Sequence, residues 1–298
     1  MYKKILELSK SLKSKFIFDY DTKNITWFKA GGKADVYCLV DNISDLQIIL
    51  KNIENIPFVV VGAGSNLLVR DSGYKGIIIK LGKMFNNINL NNSKIIAGAS
   101  ILDSNLSKFA LLNSIKNLEF YSGIPGSIGG AIKMNAGCFG YETKDIVNKV
   151  TIIEKNGKIK NLENKSLNFG YRNSNINEEI IISVEFNAEY GEKDLIQKKI
   201  QEIKDIRNRS QPIKNKTGGS TFKNPKNYYA AELIEKSGCK GLKVGDAIVS
   251  NKHSNFIINS NNASATDIEN LGKMIVDKVY KNFNVILDWE IKIIGEDY

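Results

Sequence analysis

Two glycine-rich loops, each in its own block of alternating strands and helices, constrain the fold more than any other feature of the chain. The first loop, Gly62-Ala63-Gly64-Ser65-Asn66, follows an apolar strand segment at 58–61. The second, Gly123–Ala131, contains four glycines within nine residues, together with Pro125 and Ser127. Loops without side chains can turn tightly or let backbone N–H groups approach a phosphate. Two such loops from separate blocks can enclose one diphosphate from both sides.

The first loop does not complete the Gly-x-Gly-x-x-Gly pattern of dinucleotide-binding folds. The third glycine would fall at position 67, which is Leu67, and a short apolar run follows instead of a long helix. A Gly-x-Gly segment after a strand is more often a plain turn. Taken separately, each loop therefore leaves both interpretations open, a tight turn or a phosphate-binding loop.

The pattern of apolar residues divides the chain into three blocks. Strands and helices alternate over 1–82, the alternation restarts over 83–200, and a third block occupies 201–298, so we predict three domains with these boundaries. Capping-box patterns beginning at Ser44 and Thr266 predict the starts of two helices. Apolar residues that alternate over 285–294 predict a final strand with Glu290 on the less apolar face.

Composition excludes several classes of protein. The 298 residues carry 42 Lys and Arg against 32 Asp and Glu, a net charge of 42 − 32 = +10, yet the lysines are spread along all blocks with no basic run among aromatics. We therefore predict no nucleic-acid partner. No apolar stretch reaches the roughly 18 residues of a membrane span, which predicts a cytoplasmic protein without membrane insertion. Three dispersed cysteines and the single His253 predict neither a metal site nor a disulfide framework.

The two loops belong to an ordered series of motifs. In chain order the motifs are Gly62–Val69, Gly123–Ala131, Met134–Cys138, Phe169–Ser174, Gln211-Pro212, Gly218–Pro225, Ala230–Ile234, His253–Asn259 and Glu290–Gly295. The series resembles the bacterial UDP-N-acetylenolpyruvoylglucosamine reductase family over nearly the whole chain. The resemblance implies an α+β fold in which a two-part FAD-binding module of the vanillyl-alcohol-oxidase (PCMH) type precedes an α/β substrate-binding domain.

The resemblance also implies a reaction. An enzyme of this family reduces UDP-N-acetylglucosamine enolpyruvate to UDP-N-acetylmuramate in peptidoglycan precursor synthesis, with NADPH as co-substrate and noncovalent FAD delivering hydride from N5 to the enolpyruvyl β-carbon. The interval from Arg172 to Ser220 is 220 − 172 = 48 residues. It leaves no room for the inserted tyrosine-bearing loop of the longer reductases, so the chain is similar to the short, type II form.

Three catalytic residues follow from the matching motifs. Arg172 would polarise the enolpyruvyl carboxylate, because a guanidinium is permanently charged and holds a carboxylate through a fork of donors. Ser220 would donate a proton to the α-carbon, which a weakly acidic hydroxyl can do only in direct contact with a strongly basic centre. Glu290 would help Arg172 to stabilise the enolate.

Further contacts are implied at matching positions. The expected FAD contacts are Gly62, Gly64, Ser65, Asn66, Leu67, Gly123, Ile124, Pro125, Ser127, Gly129, Asn135, Ala136, Gly137 and Arg207. The expected contacts to the UDP-sugar are Tyr171, Lys223, Asn224 and Asn255. Arg209 is close enough in sequence to take the role of Arg207 at the FAD phosphates. We expect a monomer.

Two other functions stay open from the sequence. A different FAD-dependent oxidase or dehydrogenase of the same fold would share the glycine-rich loops, although the joint presence of Arg172, Ser220 and Glu290 in matching motifs argues against it. A nucleic-acid-binding module is suggested only by the net charge.

Overall fold

The computed structural model describes residues 2–296 and contains two compact units. Unit 1 consists of the described residues up to Phe18, Val36–Ala63 and Gly76–Asp205. Unit 2 consists of Asp19–Asp35, Gly64–Lys75 and the described residues from Ile206 onward. These units are assembled from alternating segments of the chain, and the division into domains at 82 and 200 stays a prediction.

Helices occur in both units. They are α1 (Tyr2–Ser11), α2 (Ile43–Asn52), α3 (Asp103–Leu112), α4 (Ile128–Met134), α5 (Lys193–Ser210), α6 (Ala230–Lys236) and α7 (Ala265–Phe283). Over residues 2–296, no helix combines the length and the apolar character that crossing a membrane requires.

The strands form several sheets. The strands are β1 (Lys15–Asp21), β2 (Lys33–Val40), β3 (Phe58–Val60), β4 (Leu67–Val69), β5 (Tyr74–Leu81), β6 (Ile88–Asn91), β7 (Lys94–Gly98), β8 (Ile115–Lys116), β9 (Gly137–Cys138), β10 (Tyr141–Glu142), β11 (Val147–Ile153), β12 (Ile159–Glu163), β13 (Ile180–Asn187), β14 (Glu189–Tyr190), β15 (Lys216–Ser220), β16 (Lys243–Val244), β17 (Ala247–Val249), β18 (Phe256–Asn259) and β19 (Lys292–Ile294). The larger sheets have the orders β1-β2-β5-β3, β12-β11-β13-β7-β6 and β15-β18-β17-β16. Helices and mostly antiparallel sheets together make an α+β fold.

The core of unit 1 lies between the two larger sheets of that part of the chain and the helices that cover them. Leu46 and Ile49 of α2 and Leu106 of α3 are fully buried, and they pack in one cluster with Ile77 and Ile79 of β5. Apolar residues at helical spacing therefore bury one face of each helix, and Ile128 and Ala131 of the second glycine-rich loop belong to the same cluster.

The core of unit 2 forms around α7. Leu271 and Ile275 of this helix are buried, and Gly272 leaves room for the indole ring of Trp289, which a Cβ at that position would strike. The helix begins at the Ser264 cap, and the Asp71 carboxylate accepts further hydrogen bonds from the first helical N–H groups at 3.0 and 2.8 Å. The Ser264 hydroxyl and the Asp71 carboxylate thus satisfy donors that the helix itself leaves unpaired.

Two predicted helix starts are wrong by two residues each. The caps are Asn42 and Ser264, not Ser44 and Thr266, and their side chains accept hydrogen bonds from the N–H groups of Asp45 and Asp267. In α7 the Asp267 carboxylate completes a capping box with Ser264, whereas the Asp45 carboxylate of α2 accepts from the N–H and hydroxyl of Ser14. Each helix begins at the earlier of two possible caps.

The final strand is shorter than predicted. Only Lys292–Ile294 forms a strand, paired in parallel with β4. Upstream, the Glu290 N–H donates to the Thr221 carbonyl at 2.9 Å, whereas the Lys292 N–H donates to Asn66 at 3.0 Å. The segment changes its pairing partner between these residues, which interrupts a strand over the predicted length.

Asn255 fixes the segment that follows β15. Its side-chain oxygen accepts from the Phe222 N–H at 2.9 Å, and its side-chain nitrogen donates to the Phe222 carbonyl at 2.8 Å. Its own carbonyl accepts from the Thr221 N–H at 2.8 Å. Asn255 is 4% exposed, so all of these bonds are shielded from water. One buried amide therefore holds the backbone immediately after Ser220.

We expect Asn255→Ala to lower the free energy of unfolding by about 2–4 kcal/mol, because the buried N–H and carbonyl of Phe222 would both lose their partner. Urea unfolding of the full chain measures the change. Asn251→Ala, at an exposed asparagine nearby, is the matched control and should change the free energy of unfolding by less than about 0.5 kcal/mol. Equal effects of the two substitutions would contradict the role assigned to Asn255.

Candidate functional site

The predicted site residues are divided between the two units. Those in unit 1 are Gly62, Gly123, Ile124, Pro125, Ser127, Gly129, Asn135, Ala136, Gly137, Tyr171 and Arg172. Those in unit 2 are Gly64, Ser65, Asn66, Leu67, Arg207, Ser220, Lys223, Asn224, Asn255 and Glu290.

Gly62 of the first glycine-rich loop meets Ser127 of the second inside unit 1. A Cβ built on Gly62 would collide with the Ser127 hydroxyl, so the close approach of the loops requires glycine here. The Ser127 side chain is 3% exposed, and within residues 2–296 its Oγ has no hydrogen-bond partner. A buried hydroxyl without a partner is uncommon and indicates a ligand or a water at this point. Gly62 and Ser127 therefore mark a candidate ligand site.

Backbone hydrogen bonds hold the second loop in place. The N–H groups of Ile128 and Gly129 both donate at 2.9 Å, to the carbonyls of Ile101 and Ala99 respectively. Leu102 and Ser127 form an isolated β-bridge. These N–H groups serve the fold, so the contact that we predict for Gly129 would have to use other atoms, whereas the Ser127 Oγ keeps its full hydrogen-bonding capacity.

Asp103 lies behind the second loop and was not among the predicted site residues. It is fully buried, and a Cβ on Gly126 would lie 2.5 Å from one of its carboxylate oxygens. The backbone N–H of Gly126 lies close, but among residues 2–296 no hydrogen bond of good geometry reaches either oxygen. Burial raises the pKa of Asp103 well above its usual range. At the start of α3 this residue has the sequence signature of an ordinary helix-terminal acid, which hides its burial.

Asn135 connects the end of α4 to the segment that carries Arg172. It adopts a left-handed backbone with φ 42° and is fully buried. Its side-chain nitrogen donates to the Gly170 carbonyl at 2.9 Å, and its side-chain oxygen accepts from the Lys144 N–H at 3.0 Å. The side chain of this predicted FAD contact thus positions neighbouring backbone. Ala136 and Gly137 continue from it into β9.

Arg172 occupies a constrained turn. Its φ is +55°, a conformation that few residues other than glycine adopt, and the flanking residues Gly170 and Asn173 form a β-bridge. One guanidinium nitrogen donates to the Gly137 carbonyl at 3.2 Å, and the guanidinium carbon lies 5.1 Å from the ring centre of the exposed Tyr171. Backbone strain at a charged residue is a frequent mark of a functional position.

In unit 2, Thr221 connects Ser220 with Glu290. Thr221 follows Ser220 directly, and its carbonyl accepts the Glu290 N–H at 2.9 Å. The Asn66 side chain donates to the Glu290 carbonyl at 2.9 Å. Both Ser220 and Glu290 are half-buried. The fold of unit 2 therefore brings together three predicted site residues that are far apart in sequence.

Two glycines shape the backbone before Ser220. A Cβ at Gly218 would collide with the ring of Phe28, so β15 packs directly against this aromatic side chain. Gly219 has φ +81°, and the register of β15 against β18 shifts between Thr217 and Ser220. The resulting bulge turns Ser220 out of the regular strand pattern, which is a common way to aim a side chain at a ligand.

The other predicted contacts in unit 2 have local partners. Asn224 is exposed, and its side-chain oxygen accepts from the Ala230 N–H at 3.0 Å at the start of α6. Arg207 is half-buried and donates to Gln211 at 3.0 Å, whereas Arg209 is exposed. Lys223 is half-buried, with its N–H bonded to Asp288 at 2.8 Å. Their contacts to ligands stay predictions, as does the choice of Arg207 over Arg209.

A second residue that the sequence analysis missed is Lys80, near the end of β5. Its ammonium group donates to the carbonyl of Gly62 in the first glycine-rich loop, and burial lowers its pKa. In the sequence, Lys80 follows three isoleucines and has the pattern of a strand residue that turns its charge to solvent. No residue-by-residue signal distinguishes it from the other lysines.

Within the described part of the chain, no group of three or more His, Cys, Asp or Glu side chains is arranged to hold a metal ion.

Comparison with known protein families matches two segments of the chain. Residues 34–163 match the model of an FAD binding domain, and residues 211–294 match the C-terminal domain of UDP-N-acetylenolpyruvoylglucosamine reductase. The first segment contains Gly62, Ser127 and Lys80, and the second contains Ser220 and Glu290.

Individual relatives cover almost the full length. The UDP-N-acetylenolpyruvoylglucosamine reductase of Rickettsia typhi is 41% identical over 287 residues, which are 96% of this chain and 97% of the relative. That of a Wolbachia species from Drosophila simulans is 43% identical and covers 94% of this chain and 96% of the relative. The crystal structure of the Thermus caldophilus reductase superposes with a TM-score of 0.83 at 32% identity, over 94% of this chain and 98% of that one.

A more distant structure, BBE-like 1 of Physcomitrella patens, is similar in fold alone, with a TM-score of 0.50 at 16% identity over 62% of this chain and 44% of that one. Together with the matched FAD binding domain, these similarities confirm the predicted α+β fold with an FAD-binding module.

We expect Asp103→Asn to gain stability relative to the wild type as the pH rises. Above the unfolded-state pKa of about 3.9, the wild type must take up a proton at Asp103 on folding, so its stability falls with pH until the raised folded-state pKa is reached. The difference should grow by at most about 1.4 kcal/mol per pH unit.

Urea unfolding between pH 5 and pH 8 measures this difference. The exposed Asp194, substituted in the same way, is the matched control for replacing a carboxylate by an amide outside the core. A pH-independent difference for Asp103→Asn would mean that the buried carboxyl is ionised.

Proposed function

Because the chain belongs to the UDP-N-acetylenolpyruvoylglucosamine reductase family, we propose that Arg172, Ser220 and Glu290 carry its reaction, the NADPH-dependent reduction of UDP-N-acetylglucosamine enolpyruvate to UDP-N-acetylmuramate. The protein is an FAD-containing oxidoreductase of peptidoglycan precursor synthesis. The observation that carries this conclusion is the agreement with a named reductase over 96% of the chain. NADPH is the co-substrate.

The residues of unit 1 fit an FAD diphosphate. The Ser127 hydroxyl is buried without a partner, and Gly62 beside it has no side chain that would obstruct a ligand. A diphosphate needs donors in a site without competing acceptors, and these two positions supply such a surface. When bound, the flavin supplies the hydride for the β-carbon of the enolpyruvyl group, and the protein is left to orient the substrate and to stabilise charge.

Arg172 stabilises the negative charge that develops when hydride reaches the β-carbon. The charge is shared between the α-carbon and the adjacent carboxylate, and a guanidinium held by the Gly137 carbonyl is oriented before the substrate arrives. Electrostatic stabilisation of this kind is most effective when the charged group does not have to move during the reaction. The left-handed backbone of Arg172 supports this role.

Ser220 completes the reduction by giving its hydroxyl proton to the α-carbon, and the resulting alkoxide regains a proton from solvent. The bulge at Gly219 supports a hydroxyl turned toward a ligand. The Glu290 N–H is hydrogen-bonded to the carbonyl of Thr221, the residue that follows Ser220. Glu290 helps to stabilise the enol form of the substrate carboxylate. Tyr171, Lys223, Asn224 and Asn255 are our proposed contacts to the UDP-sugar.

The same proposal covers location and assembly. A nucleotide sugar and NADPH are solutes of the cytoplasm, which supports a cytoplasmic protein. We also propose that the protein works as a monomer and binds no nucleic acid. The division of the described residues into two units, each with its own apolar core, agrees with a chain that folds without a partner.

We expect the purified full chain to be yellow, with an oxidised-flavin spectrum that NADPH bleaches and that the enolpyruvyl nucleotide restores. Visible absorption under anaerobic conditions measures both half-reactions. A protein that stays colourless after FAD has been supplied would contradict the function. Rapid reoxidation of the reduced flavin by air, together with turnover of an alcohol, would favour the second candidate, an FAD-dependent oxidase of the same fold.

We expect Ser220→Ala to be reduced by NADPH at the wild-type rate but to reoxidise with the enolpyruvyl nucleotide about 10²–10⁴-fold more slowly, because the α-carbon lacks its proton donor. Stopped-flow absorption separates the two half-reactions. Ser260→Ala, at an exposed serine of unit 2, is the control and should alter neither. Equal loss of both half-reactions would show that Ser220 supports the fold and not the proton transfer.

A further inference from the structure

Lys80 is a half-buried cation that contacts the first glycine-rich loop. It follows Ile77–Ile79 of β5, which are fully buried, and its own side chain is half-buried. Among residues 2–296 the Gly62 carbonyl is the one acceptor that its ammonium group contacts, and no carboxylate lies within ion-pairing distance. Lys80 thus differs from the lysines of this chain that pair with acidic side chains at the surface.

A single carbonyl compensates poorly for a partly buried ammonium group. Removing a charge from water is unfavourable unless an opposite charge or several polar groups replace the solvent. Consistent with this cost, burial lowers the pKa of Lys80. A neutral side chain with one donor would hold the Gly62 carbonyl at a smaller cost. The charge itself therefore needs an explanation, and an anion at this place would supply it.

The surroundings of Lys80 fit an anion with several oxygens. Gly62, which accepts the hydrogen bond from Lys80, also approaches the Ser127 hydroxyl so closely that no side chain fits between them. That hydroxyl is buried and has no partner in the described chain. One cation, one unused hydroxyl donor and one backbone position without a side chain are thus gathered around Gly62, which suits a phosphate group.

We propose that Lys80 is a further cofactor-binding residue, whose ammonium group binds the diphosphate of FAD beside Gly62 and Ser127. The inference rests on the proposed function. A diphosphate is also present in the UDP-sugar, but all three residues lie within 34–163, the segment that matches an FAD binding domain, so we assign the site to FAD. In this assignment, the bound cofactor supplies the opposite charge that the protein does not.

The test measures FAD binding to the full chain after removal of flavin. Lys80→Met removes the ammonium group, and Lys80→Gln keeps a donor for the Gly62 carbonyl without the charge. For both variants, fluorescence titration should give a dissociation constant for FAD about 10- to 100-fold higher, the loss expected for a charged hydrogen bond. Riboflavin, which lacks the diphosphate, should bind within about threefold of its wild-type affinity. Lys80→Arg should retain most of the FAD affinity.

Lys108→Met is the matched control, since it makes the same chemical change at an exposed lysine of α3 and should leave FAD binding unchanged. Inorganic pyrophosphate provides a second measurement. Pyrophosphate should displace FAD from the wild type. Measured directly, the affinity of pyrophosphate for Lys80→Gln should be at least tenfold lower than its affinity for the wild type.

Several results would overturn the inference. Wild-type FAD affinity in Lys80→Gln would show that the charge plays no part. A parallel loss of riboflavin and FAD binding, with a lower unfolding midpoint, would show that Lys80 only supports the loop. Weaker UDP-sugar binding with unchanged FAD binding would assign the lysine to the substrate. If the wild type itself bound no FAD, the proposed function would fail first, which is distinct from a failure at Lys80.

Discussion

The close approach of Gly62 to Ser127 is the contact on which the candidate cofactor site of unit 1 depends. It is possible only because the first loop has no side chain at that point and because the second loop is fixed by backbone hydrogen bonds to Ile101 and Ala99. The N–H groups that make those bonds are not available to a ligand. Gly62 therefore brings the two loops together, and the buried Ser127 hydroxyl has no hydrogen-bond partner among the described residues.

Buried polar side chains perform the equivalent task elsewhere. Asn135 holds the backbone next to Arg172, and Asn255 holds the backbone next to Ser220, each through several hydrogen bonds shielded from water. A loop supported in this way loses little freedom when a ligand binds, because its backbone is already ordered. Two asparagines that we predict to contact ligands thus also hold the neighbouring backbone of proposed catalytic residues.

Short-range patterns in the sequence predicted much of the fold, including the α2 and α7 helices and both glycine-rich loops. The errors arose where two local signals compete, as at the helix caps, or where a segment changes partner, as between Glu290 and Lys292. The functional role of buried groups was harder to predict. Asn66 and Glu290 meet across 224 positions, and nothing in a single sequence pairs them. Asp103 and Lys80 resemble ordinary surface charges, because burial depends on segments that lie far away in the chain.

The net charge of +10 carries little information about function, because it does not distinguish exposed cations from those that the fold shields from water. Lys33 pairs with Asp19, and Lys236 pairs with Glu232, but all four side chains are more than half exposed, so solvent and salt screen these pairs. Lys80 contributes one charge like each of these lysines. It stands apart because its environment removes water without supplying a carboxylate. The position of a cation relative to the apolar core, and not the excess of cations, indicates where an anion binds.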